Sequence, residues 1–538
     1  MADSDKEEKA PEVEAAEKPE KPEKREKRLD TIPESAQSFL DRLETAMKNK
    51  NVADIHKYYE DDYNKIKEQN FKGKRWPQWE SVAANVSDDP TFLCFYKELY
   101  YRHLYTDCTP NFEDRRGSWE NYRELVEMVI LDLEEGEMTF ALPAVWILDI
   151  LDEFVYHFQT FCDTRSKVVK GGHENQIAPF RDNPDIFSTQ QVLMYLTRMV
   201  RLSKVEEYLQ NKEHGTTLAH TDETARYFGY FAMIQLLRMH TLLADYHLAM
   251  QTIQHIDLKE EVPLFFKIPA CAVSLYYYMG FCYLMMRRYA DSIRTFSEIL
   301  VWWSKTSGVN TKSYQYDNIT KRNDRMTSLL MMALALCPRP IDESLEKTIR
   351  NEQWSEIMAK LQRGDIDCFT DQFKASCPRF VQAASPSYEK EDHQQIKEVQ
   401  TRQLKLFLQE VRLQQFLPRI DSYMKLYTAI KMDKLAQLCD MEAAALRDQL
   451  MCVMHKTSQK VRNSKGAPLD GENQLCSEVE FYLDGDMVHI KAQKAEREHS
   501  AVFLEQILKF QDLLHKIENK EPVNAEAKDG KAEKATAE

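Results

Sequence analysis

A chain of 538 residues with a formal charge of −15 is long enough for roughly three or four domains or for one extended repeat array. Its overall field repels the phosphates of bulk nucleic acid, which argues against nonspecific binding as the main activity. Apolar residues at 43% and charged residues at 30% exclude wholesale disorder, and no apolar run approaches the ~20 residues that cross a bilayer. Glycine is scarce, 14 in all, leaving few positions for phosphate-cradling loops and favouring helix. Eleven cysteines without a CxxC pair, in a chain lacking an apolar leader, predict a reducing compartment, cytosol or nucleus.

Residues 1–33 mix Glu, Lys and Pro with almost no large apolar side chain, and 518–538 repeat that composition; both read as solvated tails. Between them the pattern is helical. In FLCFYKELYYRHLY (92–105), Phe92, Phe95, Leu99 and Tyr100 or His103 recur at three- and four-residue steps, and so do Trp146, Ile150, Phe154, His157 and Phe161 in 144–161, after Pro143.

The segment LLADYHLAMQTI (242–253) aligns on MMRRYADSIRTF (285–296) with an offset of 43, placing Tyr246 on Tyr289 and Ile253 on Phe296. Backwards from the second copy, Tyr276, Gly280 and Tyr283 follow the aromatic, small, aromatic order of a tetratricopeptide first helix. The spacing exceeds the regular 34 residues of that repeat. The expectation is an irregular helical solenoid over 34–300, in which Gly280 lets the paired helix approach while Tyr246, Tyr276, Tyr283, Tyr289 and Phe296 fill the core.

Near residue 421 the pattern changes. DSYMKLYTAI (421–430), KMDKLAQLCDM (431–441) and EAAALRDQLMCVMHKT (442–457) read as helices, and SEVEFYLDGDMVHI (477–490) alternates around Asp484-Gly485, a strong hairpin signal. Helices closed by a hairpin predict a winged helix over 421–492, the one convincing piece of β-structure in the reading. A last helix is expected over 493–517, with Phe503, Ile507, Phe510, Leu514 and Ile517 on a seam of alternating four- and three-residue steps that needs a partner to cover it.

No catalytic arrangement emerges. GxGxxG, GxxxxGK[ST] and GxSxG are absent, and His173-Glu174 is followed by Ile177 where a zinc-protease motif needs its second histidine. Asp149, Asp152 and Glu153 share a helical face that suits acid/base work, yet the polar flank of an amphipathic helix explains them as solvated or ion-paired groups. His240 and His247 lie two turns apart, too far for one ion. No cofactor and no metal is expected. Lys456, Lys460, Arg462 and Lys465 form a basic cluster suited to RNA phosphates, although 421–492 holds nine Lys and Arg against eleven Asp and Glu.

Helical repeats running into a winged helix and a terminal bundle helix resemble the PCI architecture of the proteasome lid, the COP9 signalosome and translation initiation factor 3. The strings at 92–105, 146–161, 276–296 and 477–490 resemble in particular the L-subunit family of eukaryotic translation initiation factor 3, over roughly 34–517. That resemblance implies a mainly α fold, with a PCI domain over 301–492 and a bundle helix over 493–517. It also implies a non-enzymatic scaffold subunit of a cytoplasmic complex, with other subunits (K above all, then E and C) and the 40S ribosomal subunit as partners. Such a subunit supports 43S preinitiation complex assembly and the recruitment of initiator tRNA and mRNA. The alternatives are a scaffold of another PCI complex or a stand-alone winged-helix nucleic-acid binder.

Overall fold

The computed structural model describes residues 32–213, 222–258, 264–308, 314–385, 388, 398–414, 417–463, 466–476, 479–492 and 499–518. The fold is mainly α, with a few short strands.

Local sequence sets the helix ends. Asp89 caps the Pro90–Asp107 helix, its carboxylate accepting from the Thr91 N–H at 3.0 Å. Asn111 and Asp114 satisfy each other's backbone N–H groups at the start of the Phe112–Glu135 helix, a reciprocal cap. Pro143 precedes the Ala144–Gly171 helix, whose Trp146, Ile150, Phe154, His157 and Phe161 are all buried.

The 43-residue repeat has a geometric counterpart. Ala244 and Arg287, equivalent under that offset, both take a positive φ of 63°. Asp245 N–H donates to the His240 carbonyl and Arg288 N–H to the Tyr283 carbonyl, each at 2.9 Å, the same helix-ending bond 43 residues apart. The copies then diverge: the second helix of the first hairpin is Tyr246–Thr252, whereas that of the second is Tyr289–Thr306.

One apolar core runs unbroken from Ala36 to Val411, across residue 301. A strap formed by 379–385 and Tyr388 returns along its early helices. The Gln159 amide donates to the Arg379 carbonyl, Thr189 Oγ1 to the Ala383 carbonyl, Arg165 to Ser385 Oγ and Tyr388 OH to the Phe180 carbonyl. A second, smaller core begins at Ile420 and gathers Leu435, Leu446, Leu450, Val453, Phe481 and Val488.

Around that smaller core lie the Met432–Leu438 and Ala443–Thr457 helices and an antiparallel sheet of β1 (Ala429–Lys431), β4 (Val479–Asp484) and β5 (Met487–Ala492), in the order β1-β5-β4. Ile430 faces Val488 and Phe481 faces Ile490. The loop between β4 and β5 is Gly485-Asp486, with φ +55° at Gly485, where a tight hairpin turn demands glycine.

Two expectations change here. The 421–430 stretch is not one helix: the Leu417–Met424 helix stops, and 429–431 pairs with β5 as a strand. Nor does the hairpin, whose two-residue turn is Gly485-Asp486 and not Asp484-Gly485, stand alone. A second sheet pairs β2 (Ser458–Val461) with β3 (Glu472–Leu475), in the register Ser458 to Leu475. In both places tertiary pairing prevails over a weak local preference.

Candidate assembly interface

The turn of the second hairpin is a docking point. Gly280 carries no side chain because none fits: a Cβ there would lie 2.5 Å from Phe296 Cε1. The space instead lets Ser292 Oγ donate to the Gly280 carbonyl at 2.9 Å. Tyr289 and Phe296 are buried on the same side, and burial pushes the Tyr289 phenol up. Tyr246 packs edge-on against Phe281 and donates to Gln403 Oε1 at 2.7 Å, while Tyr276 rests against Phe265 and Phe266. Tyr283, its phenol pushed up to about 12 by burial, donates outward at 2.8 Å to the carbonyl of Pro468.

That last bond opens a clamp. Arg288, nearly buried, donates to the carbonyls of Pro468, Leu469 and Asp470 and pairs with Asp291 at 2.7 Å. Asp291 also accepts from Arg294 and from the Arg462 backbone N–H, the latter at 3.0 Å to each oxygen. The β2–β3 segment is thereby fixed to the helical core by charge-assisted bonds inside a low-dielectric site.

This clamp redraws the basic cluster. The Arg462 N–H serves Asp291 and its guanidinium donates to the Gly466 carbonyl. Lys456 pairs with Glu410, which Arg287 also approaches at 3.8 Å. Lys460 remains exposed, and Lys465 lies outside the described residues. The structure therefore brings Lys456 and Lys460 to a cleft of about 450 Å³ between the hairpin turn and the smaller module, together with His247, Arg287 and His455.

Asp149, Asp152 and Glu153 lie half-buried along the Ala144–Gly171 helix, and Asp149 and Asp152 are ion-paired, as the amphipathic pattern allowed. Asp149 accepts from Tyr59 and Tyr314 at 2.5 Å and pairs with Arg102 at 3.4 Å. Asp152 pairs with Arg238 at 2.8 Å. Glu153 stands 3.5 Å from His157. Burial outweighs Arg102 and raises Asp149 to about 6 and Glu153 to about 7. Asp149 and Asp152 have fixed internal partners, an arrangement that suits structure rather than proton transfer to a substrate.

The terminal helix, His499–Glu518, presents the opposite surface. Phe503, Ile507, Phe510 and Leu514 are all more than half exposed, between 51% and 64%. Ile517 belongs to the helix, but its side chain lies outside the described residues, as do 493–498.

Comparison with known proteins follows these features. The profile of the family described as RNA polymerase I-associated factor PAF67 matches residues 114–510. Relatives named eukaryotic translation initiation factor 3 subunit L are similar along most of the chain. The Nematostella vectensis protein is 39% identical over 90% of this chain and 93% of its own. The Danio rerio protein is 37% identical over 87% and 82%, and the Homo sapiens protein 38% over 85% and 81%. The chain belongs to the translation initiation factor 3 subunit L family.

Sequence periodicity missed part of the exposed surface of this subunit L family member. Leu504, Leu508 and Leu513 are equally exposed and flank the seam. A strict seven-residue seam leaves them out, whereas laying every apolar residue on a helical wheel would have found them. The Arg288–Asp291 clamp was also missed, because its partners lie about 170 to 180 residues away.

Proposed function

We propose that this chain is a non-catalytic assembly subunit of translation initiation factor 3 that holds its neighbours through the His499–Glu518 helix. The supporting observation is the exposed apolar surface of seven large side chains on that helix. Full burial of each stabilises by roughly 1.5–3 kcal/mol, so water is an unfavourable final environment. The surface is wider than a two-stranded seam and suits a bundle in which more than one partner helix closes around it.

In this reading the partners are other subunits of the factor, K above all with E and C, and the assembly works in the cytoplasm on the 40S ribosomal subunit. There it supports 43S assembly and the recruitment of initiator tRNA and mRNA. Residues 34–300 form the repeat scaffold and 301–492 the PCI domain, whose smaller module at 421–492 acts as a winged helix. Lys460 is the basic side chain best placed for an auxiliary RNA phosphate contact, since Lys456 and Arg462 are engaged internally.

The test is the triple variant Ile507→Asp, Phe510→Asp and Leu514→Asp, expressed in cells as a tagged full-length chain. Loss of the other subunits from the purified material, with unchanged helical circular dichroism, is expected. Normal recovery of those subunits would remove the helix from the interface. Recovery of RNA polymerase I instead would favour the partner carried in the family profile's description.

A further inference from the structure

The strap meets a cation that has no carboxylate partner among the described residues. Arg165, on the Ala144–Gly171 helix, is 5% exposed, and a guanidinium keeps its charge in such a place. The acid nearest to it in sequence, Asp163, pairs with Lys167 at 2.7 Å. Arg165 Nη2 donates to the Cys162 sulfur at 3.7 Å, the guanidinium carbon sits 5.7 Å over the Phe161 ring, and the buried Nε has no hydrogen-bond partner among the described residues. One bond points to the strap: Nη1 donates to Ser385 Oγ at 3.2 Å. A buried cation is costly unless an anion meets it, and a neutral hydroxyl brings only a partial charge. Ser385 itself is exposed, as are Ala383 and Ala384 before it. In the sequence Pro386 follows, which biases the preceding residue towards extended backbone. Extended, exposed chain is what a kinase cleft takes as acceptor, and Thr109-Pro110 is the one other Ser/Thr-Pro pair in the sequence.

We propose that Ser385 is a phosphorylation site for a proline-directed kinase and that Arg165 is the receptor of its phosphate. The co-reactant is ATP. Ser385 Oγ attacks the γ-phosphorus, the bond from that phosphorus to the β–γ bridging oxygen breaks, ADP leaves, and the hydroxyl proton passes to the catalytic base of the kinase. The product brings a charge of about −1.5 to −2 to the side of the guanidinium. A neutral contact thereby becomes a charge-assisted one, and the buried cation gains its anion. The other side-chain bonds of the strap, from Gln159, Thr189 and Tyr388, are neutral and end on backbone carbonyls. Phosphorylation therefore tightens the strap on the early helices at the point where its charge is least balanced.

The purified full-length chain is incubated with ATP and a proline-directed kinase, its phosphopeptides are mapped, and amide hydrogen exchange is compared before and after. Phosphate is expected on Ser385. The Val381 N–H, which donates to the Leu242 carbonyl at 3.0 Å, reports on the strap and should exchange about tenfold more slowly in the phosphorylated chain. Arg165→Gln should accept phosphate at Ser385 and lose that slowing. Ser385 left unmodified, whether or not Thr109 takes phosphate, overturns the proposal. So does phosphate on Ser385 with exchange at Val381 unchanged or faster. The parent chain gives both readings, so the test holds whether or not Arg165→Gln folds.

Discussion

The Pro269–Met285 helix and the terminal His499–Glu518 helix are both rich in large apolar residues, and their surroundings are opposite. Every residue from 271 to 284 is buried in the first, enclosed by helices before and after it in the chain. In the second, seven large apolar side chains stand exposed. Apolar spacing says which side chains seek cover; it does not say whether the same chain supplies it. Where a neighbouring helix arrives within a few tens of residues, as around 271–284, the face becomes core; the face of the His499–Glu518 helix stays exposed.

Breaking the enclosed region should cost most at Asp291, which is 1% exposed and holds Arg288, Arg294 and the Arg462 N–H. Asp291→Ala leaves the buried Arg288 without its carboxylate and should cost about 3–5 kcal/mol in urea denaturation, with faster hydrogen exchange at the Arg462 amide. A loss under about 1 kcal/mol would mean that the clamp is replaceable by water. Gly280→Leu comes next: the added side chain meets the buried Phe296 ring and should lower stability by roughly 1–3 kcal/mol in thermal melts of the full chain. An unchanged midpoint would show that the two helices have room to part.

A smaller effect tests the internal carboxylates. Burial holds Glu153 at about 7 in the folded chain, above its ordinary 4.5, so folding favours the protonated acid. The associated stability is complete below about pH 4.5 and fades as pH rises towards 7. The side chain keeps 26% exposure, which discounts the shift, and Glu153→Gln should therefore gain roughly 1 kcal/mol on the parent chain between pH 4.5 and 7. His157 is held neutral by burial in both chains, so its opposite contribution cancels in the difference. Parallel stability curves for the two chains would refute the assignment. Smallest of all, Phe510→Asp in the isolated chain should move stability by no more than about 0.5 kcal/mol, because the side chain is exposed. A large loss would place the terminal helix inside the core after all.

The helices were legible because three- and four-residue steps of aromatic side chains run long enough to outweigh noise, as from Phe92 to His103. The hairpin repeat was legible because the tyrosines recur at one offset. The β2–β3 sheet was not: SQKV and ENQL are short and polar, and their geometry is set by Asp291 accepting the Arg462 N–H from 171 residues away. Strand β1 was hidden for a like reason, since Ile430 pairs with Val488 far along the chain. Of the five seam positions visible as a period, four have described side chains, all of them exposed. Whether Lys456 faced RNA or Glu410 depended on a contact 46 residues distant that no local pattern records.

The strap of 379–385 and Tyr388 ties the order of synthesis to the order of folding. Its partners on the early helices emerge 194 to 220 residues before it does. At about 5–20 residues added per second, those helices wait roughly 10–40 s for their last covering segment. During that interval Gln159, Arg165, Thr189 and the Phe180 carbonyl lack their strap partners, and a holdase has a defined window in which to engage the nascent chain.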